Sequence, residues 1–303
     1  MKLLIANNIS AGPGDGAIYD FIRMVMRDGD EVCLRSTDGT TDIANLVYDA
    51  RDYDALVVAG GDGSVSRAAY ALANSGVPIL PFPSGTANLM ANNLYIPYEP
   101  HALANLLRDM LTLDFDLGEM EVDGKRFGFG VMAGAGFDAK IMSDAAPTKK
   151  FLGPIAYFTA AAANVKPQLA HLHLDVDGEL IDREGVGVLI VNFSKIQFEV
   201  TVTHENEPCD GQFGVVILKA HSAFGLVPAF IAGLLDRDGG FPSRTDSLEI
   251  LRGSHVAVWA DPPLEVQFDG ETPGFQTLFR ARVIPGAARL IVPEEALSEF
   301  SGN

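Results

Sequence analysis

The sequence predicts an open parallel α/β sheet followed by a β-rich, sandwich-like second domain, and three observations carry this prediction. Over residues 1–117, apolar runs end in turns rich in Gly or Asn and are followed by amphipathic stretches, as in alternating strands and helices. From residue 118 onward, short alternating runs are separated by Asp-Gly turns, which favour antiparallel hairpins. A length of 303 residues also agrees with about two domains.

The first domain, predicted at residues 1–117, repeats the order strand, turn and helix. Its strands are predicted at residues 2–6, 31–35, 55–59 and from residue 79. Its helices are predicted at residues 17–27, 42–52, 65–73, 89–93 and 99–110. Because open α/β sheets bind ligands at the carboxyl ends of their strands, the turns after these strands are the expected ligand-binding positions.

The second domain is predicted at residues 118–288. Its strands are predicted at residues 118–123, 125–132, 171–176, 186–192, 213–218 and 255–259, with helical interruptions at 154–165 and 224–235. The last segment, residues 289–303, is expected to pack back on the first domain.

The composition restricts the class of protein. A net charge of −18 argues against nucleic-acid binding, and no apolar run reaches the roughly 18 residues of a membrane span. The start of the chain turns polar too soon for a signal peptide, and two distant cysteines, Cys33 and Cys209, fit a reducing cytosol. We therefore expect a cytoplasmic protein. Its negative charge opposes anionic membranes, so contact with a lipid surface is expected to be local and transient.

The most distinctive turn follows the apolar run 55–59 and reads Gly60-Gly61-Asp62-Gly63-Ser64. Its glycines predict positive φ angles and a close approach of the backbone to a ligand. The unpaired N–H groups at the start of the next helix favour an anion, and phosphate is the natural one. Asp62 suits a Mg²⁺ ion that shares the phosphate oxygens.

A second turn of the same kind reads Pro83-Ser84-Gly85-Thr86-Ala87-Asn88. The two motifs together closely resemble the catalytic domain of diacylglycerol and sphingosine kinases, which shares its ATP-binding architecture with NAD kinases and phosphofructokinases. The chain is therefore identified as a bacterial lipid kinase of that family. The resemblance implies that ATP lies over residues 60–64 and over Gly85, Thr86 and Asn88, with Mg²⁺ near Asp62.

The resemblance places two more residues near the nucleotide. The family usually has Asn-Pro-x-Ser/Ala-Gly after its first strand; Asn7 is matched to the Asn, and Asn8 then stands where Pro is expected. Thr37 follows the second strand, where the family has a Thr. Each has a plain alternative, Asn7 as a turn residue and Thr37 as part of a helix N-cap.

Two motifs in the second domain also match the family. Gly136-Phe137-Asp138-Ala139 implies that Asp138 faces the phosphates or their metal, although alone it reads as a turn. Asp269-Gly270-Glu271 implies that Asp269 is the general base and Glu271 an acidic neighbour. The alternative is a solvated Asp-Gly hairpin turn, like the one at Asp177-Gly178-Glu179.

Two further groups have spacings that a metal site could use. The turn containing Glu207 and Asp210 resembles one that holds a structural Mg²⁺ in some family members, with a solvated acidic turn as the alternative. Glu207 stands where a shorter Asp is expected. His171 and His173 share a strand face, but no third ligand lies within reach in sequence, which favours a structural pair.

The resemblance thus implies an ATP- and Mg²⁺-dependent kinase that phosphorylates a lipid alcohol, with diacylglycerol first among the acceptors, in the cleft between the domains. The expected partners are this lipid and the membrane surface, with a homodimer left open. An NAD kinase-like enzyme is one alternative, although the second turn and the Asp-Gly-Glu motif favour a lipid kinase. A non-catalytic lipid- or nucleotide-binding protein is the other, and the intact Asp62, Asp138 and Asp269 argue against it.

Overall fold

A computed structural model of the chain describes residues 1–11, 16–136, 168–193, 207–219 and 248–300. The chain divides into two compact units. Unit 1 comprises residues 1–117, 208–210 and 284–303, and unit 2 comprises residues 118–207 and 211–283. Asp138 and the helices predicted at residues 154–165 and 224–235 lie outside the described residues.

Unit 1 is the open parallel α/β sheet that the sequence predicts. Its elements are β1 (Lys2–Asn8), α1 (Ala17–Val25), β2 (Glu31–Thr37), β3 (Ala55–Gly60), α2 (Asp62–Ala71), β4 (Pro78–Pro83), α3 (Leu89–Asn93), α4 (Pro100–Asp109), the end of β15 (Phe279–Ile291) and α5 (Glu294–Phe300). The strand order is β2-β1-β3-β4, and every neighbouring pair is parallel. The last part of β15 pairs with the outer side of β4 through Arg289 and Leu290. All residues of β3 are buried, as expected for a central strand that reads as one apolar run.

The helix predicted at residues 42–52 is wrong, because two short 3-10 helices, Ile43–Leu46 and Ala50–Asp52, take its place. Arg35 on β2 binds the segment between these two helices. Its guanidinium donates to the carbonyl of Leu46 at 2.7 Å and to both carboxylate oxygens of Asp49 at 2.6 and 2.7 Å. These hydrogen bonds tie the segment to β2.

Unit 2 is a β-sandwich. Its strands are β5 (Thr112–Val122, which begins in unit 1), β6 (Lys125–Phe129), β7 (Met132–Gly136), β8 (Ala170–Val176), β9 (Glu179–Gly185), β10 (Gly187–Val191), β11 (Phe213–Leu218), β12 (Leu248–Gly253), β13 (His255–Asp261), β14 (Val266–Phe268) and the first part of β15. One sheet has the order β12-β11-β10-β7-β14, and the other contains β15, β13, β8 and β9 together with the hairpin β5–β6. Apolar side chains from both sheets, such as Phe129, Phe213 and Phe279, form the core.

The strand predicted at residues 125–132 is broken into β6 and β7 at Gly130 and Val131. The sequence analysis also missed β9, β12 and β14. Cys33 and Cys209 do not form a disulfide with each other. Within the described part of the chain, no helix combines the length and the apolar character that crossing a bilayer requires.

Candidate active site

The two predicted glycine turns lie against each other at the carboxyl ends of β3 and β4. Gly60 is the register partner of Pro83, and the Ser84 N–H donates to the Gly60 carbonyl at 3.2 Å. A Cβ atom added to Gly85 would lie 2.4 Å from the Cα atom of Gly61. The two backbones are therefore in direct contact, which only glycine permits at position 85.

The reason for glycine in the first turn differs from the one predicted. Positive φ angles were expected for the three glycines of this turn, but Gly61 has φ −87° and ψ −178°, and Gly60 and Gly63 are also outside the positive range. Instead, the turn leaves no room for a side chain at position 60. A Cβ atom on Gly60 would lie 2.6 Å from the Cβ atom of Ser64 in the first turn of α2.

Asp62 links the two turns. It begins α2, and its Oδ1 accepts the backbone N–H of Met90 at 2.8 Å, near the start of α3. Burial raises the pKa of the Asp62 carboxyl, and hydrogen bonds from the N–H groups of Met90 and Leu89 oppose this effect. A cation bound beside this buried carboxyl group would stabilise its charged form. Asp62 therefore fits the predicted role of Mg²⁺ ligand.

The second turn is held by its own Asn88. This residue is buried in the left-handed conformation, with φ 48°. Its Oδ1 accepts the Gly85 N–H at 2.8 Å, and its Nδ2 donates to the Gly85 carbonyl at 3.0 Å. The Asn88 amide thus shapes the turn. Thr86 is exposed, and the buried hydroxyl of Ser84 has no hydrogen-bond partner among the residues that the structure describes.

Asn8 contacts the first glycine turn, and the sequence analysis had singled out Asn7 instead. The Asn8 Nδ2 donates to the Ser64 Oγ at 3.1 Å, whereas buried Asn7 lies 3.5 Å from the Ser36 hydroxyl. A signal for Asn8 was present, because residues 8–12 read Asn-Ile-Ser-Ala-Gly and keep the Asn-x-x-Ala-Gly spacing of the family pattern. The role of Asn7 near the nucleotide stays a prediction.

Thr37 closes the turn after β2. Its hydroxyl donates to the Thr41 carbonyl at 2.8 Å and accepts the N–H groups of Gly39 at 3.1 Å and Thr41 at 3.3 Å. The side chain is buried. The 3-10 helix that follows is capped by Asp42, whose carboxylate accepts the Ala44 N–H at 3.0 Å. The predicted contact of Thr37 with a nucleotide stays a prediction.

In unit 2, Asp269 is the first corner residue of a two-residue hairpin turn. Asp269 and Gly270 both have positive φ, 42° and 83°, and Glu271 donates its N–H to the Phe268 carbonyl at 2.8 Å. The Asp269 carboxylate is bound by three backbone N–H groups where β6 ends and β7 begins. These donors are Gly130 at 2.8 Å, Val131 at 3.0 Å and Met132 at 2.9 Å. Asp269 therefore stabilises the break between these strands.

The other Asp-Gly-Glu turn has the same local geometry. Asp177 and Gly178 have φ 51° and 91°, and the Asp177 carboxylate accepts the N–H groups of Ser254 and His255, both at 2.9 Å. Burial raises its pKa, but these hydrogen bonds prevail and lower the pKa overall. Because both aspartates bind a neighbouring backbone, the turn geometry alone does not distinguish a general base. The catalytic roles of Asp269 and Glu271 stay predictions.

The predicted metal groups differ in their surroundings. Glu207 and Asp210 are exposed and belong to different units. His173 is hydrogen-bonded to Asp182 and stacks on the Trp259 ring at 5.3 Å. Across the described ranges, no group of three or more His, Cys, Asp or Glu side chains is placed to hold a metal ion. The structural Mg²⁺ site at Glu207 and Asp210 stays a prediction.

Comparison with solved structures identifies the class of fold. The crystal structure of a Bacillus anthracis diacylglycerol kinase has a TM-score of 0.72 at 17% identity, with 97% of each chain covered. An Archaeoglobus fulgidus NAD kinase in complex with ATP has a TM-score of 0.56 at 14% identity and covers 100% of this chain and 98% of its own. The predicted fold, shared by diacylglycerol and NAD kinases, is confirmed.

Sequence comparison then identifies the family. Residues 2–120 match the diacylglycerol kinase catalytic domain, and residues 131–292 match the YegS C-terminal NAD kinase beta sandwich-like domain. A Pseudomonas aeruginosa protein described as a probable YegS-like lipid kinase is 39% identical over 274 residues, which cover 88% of this chain and 86% of that protein. The chain belongs to the YegS-like lipid kinase family, which confirms the relationship to diacylglycerol kinases indicated by the glycine motifs.

Some relatives are matched over only part of their length. The match covers 58% of an uncharacterized Synechocystis protein, at 26% identity and over 83% of this chain. It covers 44% of a Mycobacterium tuberculosis diacylglycerol kinase, at 34% identity and over 44% of this chain.

Proposed function

We propose that the protein is an ATP- and Mg²⁺-dependent lipid kinase that transfers the γ-phosphate to a lipid hydroxyl, with diacylglycerol as the first candidate acceptor. The observation that carries the proposal is the contact between the turns at Gly61 and Gly85, which Asp62 links through the Met90 N–H. Phosphoryl transfer depends mainly on positioning the phosphates and neutralising their charge, and this arrangement offers the groups for both tasks.

The donors of unit 1 suit a polyphosphate. The first turn of α2, a helix of 10 residues, presents backbone N–H groups and the positive end of the helix dipole. The Ser64 hydroxyl lies in the same turn and is a further donor for a phosphate oxygen. Asp62 would hold the Mg²⁺ ion, which when bound supplies positive charge next to the phosphates.

In this proposal Asp269 accepts the proton of the acceptor hydroxyl, as the family resemblance implies. The hydroxyl oxygen forms its bond to the γ-phosphorus while the bond to the β-bridging oxygen breaks, which leaves ADP. The N–H groups of residues 130–132 hold the carboxylate in one orientation. With diacylglycerol the product is phosphatidic acid, a precursor for phospholipid synthesis, and the reaction takes place in contact with a membrane surface.

The direct test is transfer of labelled γ-phosphate from ATP, with Mg²⁺ present, to a panel of lipid alcohols in mixed micelles, with NAD as a competing acceptor. Label in one lipid is expected, and it names the substrate. Label in NAD alone would contradict the lipid acceptor and favour an NAD kinase-like enzyme. ATP binding without transfer to any acceptor would favour a non-catalytic binding protein.

Asp62→Asn is expected to remove phosphoryl transfer while stabilising the metal-free protein at neutral pH. The raised pKa means that the folded state holds the Asp62 proton more tightly than the unfolded chain does. Wild-type stability should therefore fall as the pH rises through the folded-state pKa. The amide retains an oxygen for the Met90 N–H but carries no charge, so this fall should be absent.

Thermal unfolding of both proteins without metal, followed from acidic to neutral pH, tests this expectation. Added Mg²⁺ and ATP should raise the Tm of the wild type more than that of the variant, which lacks the charge that holds Mg²⁺. A variant with the lower Tm at neutral pH would show that the charged hydrogen bond to Met90 outweighs desolvation of the carboxylate.

A further inference from the structure

The side-chain amide of Asn8 lies between Ser10 and Ser64, and its orientation is fixed by the backbone. The Ser10 N–H lies 3.1 Å from the Asn8 Oδ1, and the Ser10 hydroxyl lies 2.7 Å from the same atom. Because a backbone N–H can only donate, the amide oxygen must face Ser10. The Nδ2 group then faces the Ser64 Oγ, at 3.1 Å.

This orientation determines how the Ser64 hydroxyl is used. An amide NH₂ group only donates, so the Ser64 Oγ must accept from Asn8, and its own hydrogen points elsewhere. Within the described ranges, the Ser64 hydroxyl has no acceptor of its own. The space between Gly60 and Ser64 is also narrow, since a Cβ atom at Gly60 would lie 2.6 Å from that of Ser64. The Ser64 side chain therefore has little room to move. The hydrogen bond from Asn8 restricts the remaining motion, which is rotation of the O–H group.

We infer that Asn8 is a positioning residue that directs the Ser64 hydroxyl as a hydrogen-bond donor toward the phosphates bound at the glycine turn. The inference rests on the proposed function, because the anion at this turn is the ATP polyphosphate. A donor that is oriented before the ligand arrives needs no reorganisation on binding, so it contributes more than a freely rotating hydroxyl. Asn8 itself need not touch the nucleotide.

A double-mutant cycle tests this coupling. Asn8→Ala and Ser64→Ala are each expected to raise the Kd for MgATP about five- to tenfold, the usual range for one hydrogen bond. The double variant should bind no more weakly than Ser64→Ala alone, because Asn8 acts only through Ser64. Adenosine, which lacks the phosphates, should bind all four proteins equally, whereas a general structural defect would weaken both ligands. Titration calorimetry measures every Kd, and thermal unfolding confirms that each protein is folded at the assay temperature.

Two further variants make the test specific. Asn8→Asp presents a carboxylate that must accept the Ser64 hydrogen, so it turns the hydroxyl away from the phosphates and should weaken MgATP binding more than Asn8→Ala does. The same change in the Ser64→Ala background measures charge repulsion alone and should have the smaller effect. Ser10→Ala is the matched control. It leaves the Ser10 N–H in place to orient Asn8, so MgATP affinity should stay within about twofold.

Independent, multiplying effects of Asn8→Ala and Ser64→Ala would overturn the inference while leaving the proposed function intact. Equal effects of Asn8→Asp in the two backgrounds would overturn it as well. A wild-type protein that binds no MgATP would overturn the proposed function, and this inference with it.

Discussion

Gly85→Ala is expected to lower the free energy of unfolding by about 2–3 kcal/mol, the upper range for overpacking, and to reduce phosphoryl transfer roughly a hundredfold. The new methyl group would lie 2.4 Å from the Gly61 Cα and 2.8 Å from the Asn88 Oδ1. Neither neighbour can move freely, since one is backbone and the other is bonded to the Gly85 N–H. The two turns must separate, which displaces the phosphate donors.

Gly61→Ala is the matched control for this change. Its Cβ atom would lie 3.5 Å from the Gly85 Cα, an ordinary van der Waals distance, although it belongs to the same backbone contact. Its stability should therefore stay close to that of the wild type. Chemical denaturation and the label-transfer assay measure both quantities. Equal stabilities for the two variants would show that the backbone contact relaxes at little cost. Glycine would then be present at position 85 for another reason.

Asp269→Asn is expected to reduce phosphoryl transfer by at least about a hundredfold, the lower range for loss of a general base. It should also cost roughly 1.5–3 kcal/mol of stability. The amide oxygen can still accept N–H groups, but its NH₂ group cannot, so at least one of the donors at residues 130–132 loses its partner.

Asp177→Asn separates the two effects, because Asp177 binds backbone N–H groups in a turn of the same type but lies outside the motifs that the family resemblance assigns to catalysis. We expect lower stability and unchanged transfer for this variant. If the loss of activity in Asp269→Asn disappears once both proteins are assayed well below their Tm values, Asp269 is a structural residue and the base must be sought elsewhere.

The parallel sheet of unit 1 could be predicted because its signals are local. Each apolar run and the glycine turn behind it are contiguous in sequence, and the predicted β3 and α2 overlap the observed elements. The failures coincide with contacts from distant residues. Arg35 on β2 binds the segment where the predicted helix at residues 42–52 is interrupted, and Asp269 binds the backbone where the predicted strand at residues 125–132 is broken. The hydrophobic periodicity of a segment contains no information about such contacts, so they could not be predicted from it.

The candidate site was likewise predicted only in part. The sequence predicts that the two glycine turns share one edge of the sheet, because parallel strands end together. The spacing of residues 8–12 favours Asn8 over Asn7, but it does not show what Asn8 contacts. Neighbouring side chains on a strand point to opposite faces, and only the packed sheet shows which face meets Ser64. The glycines were located correctly but explained by dihedral angles, when the decisive quantity is the distance between two backbones.

The pairing of the end of β15 with β4 determines when unit 1 can finish folding during translation. Arg289 and Leu290 pair with β4, the Asn74 N–H donates to the Ala287 carbonyl at 2.7 Å, and residues 284–303 belong to unit 1. A nascent chain therefore exposes one edge of β4 until these residues leave the ribosome. At about 5–20 residues per second, the roughly 200 intervening residues take on the order of 10–40 s. During that time the unfinished sheet of unit 1 offers an open edge to chaperones or to other chains, so unit 1 completes its fold only after residues 284–303 have been synthesised.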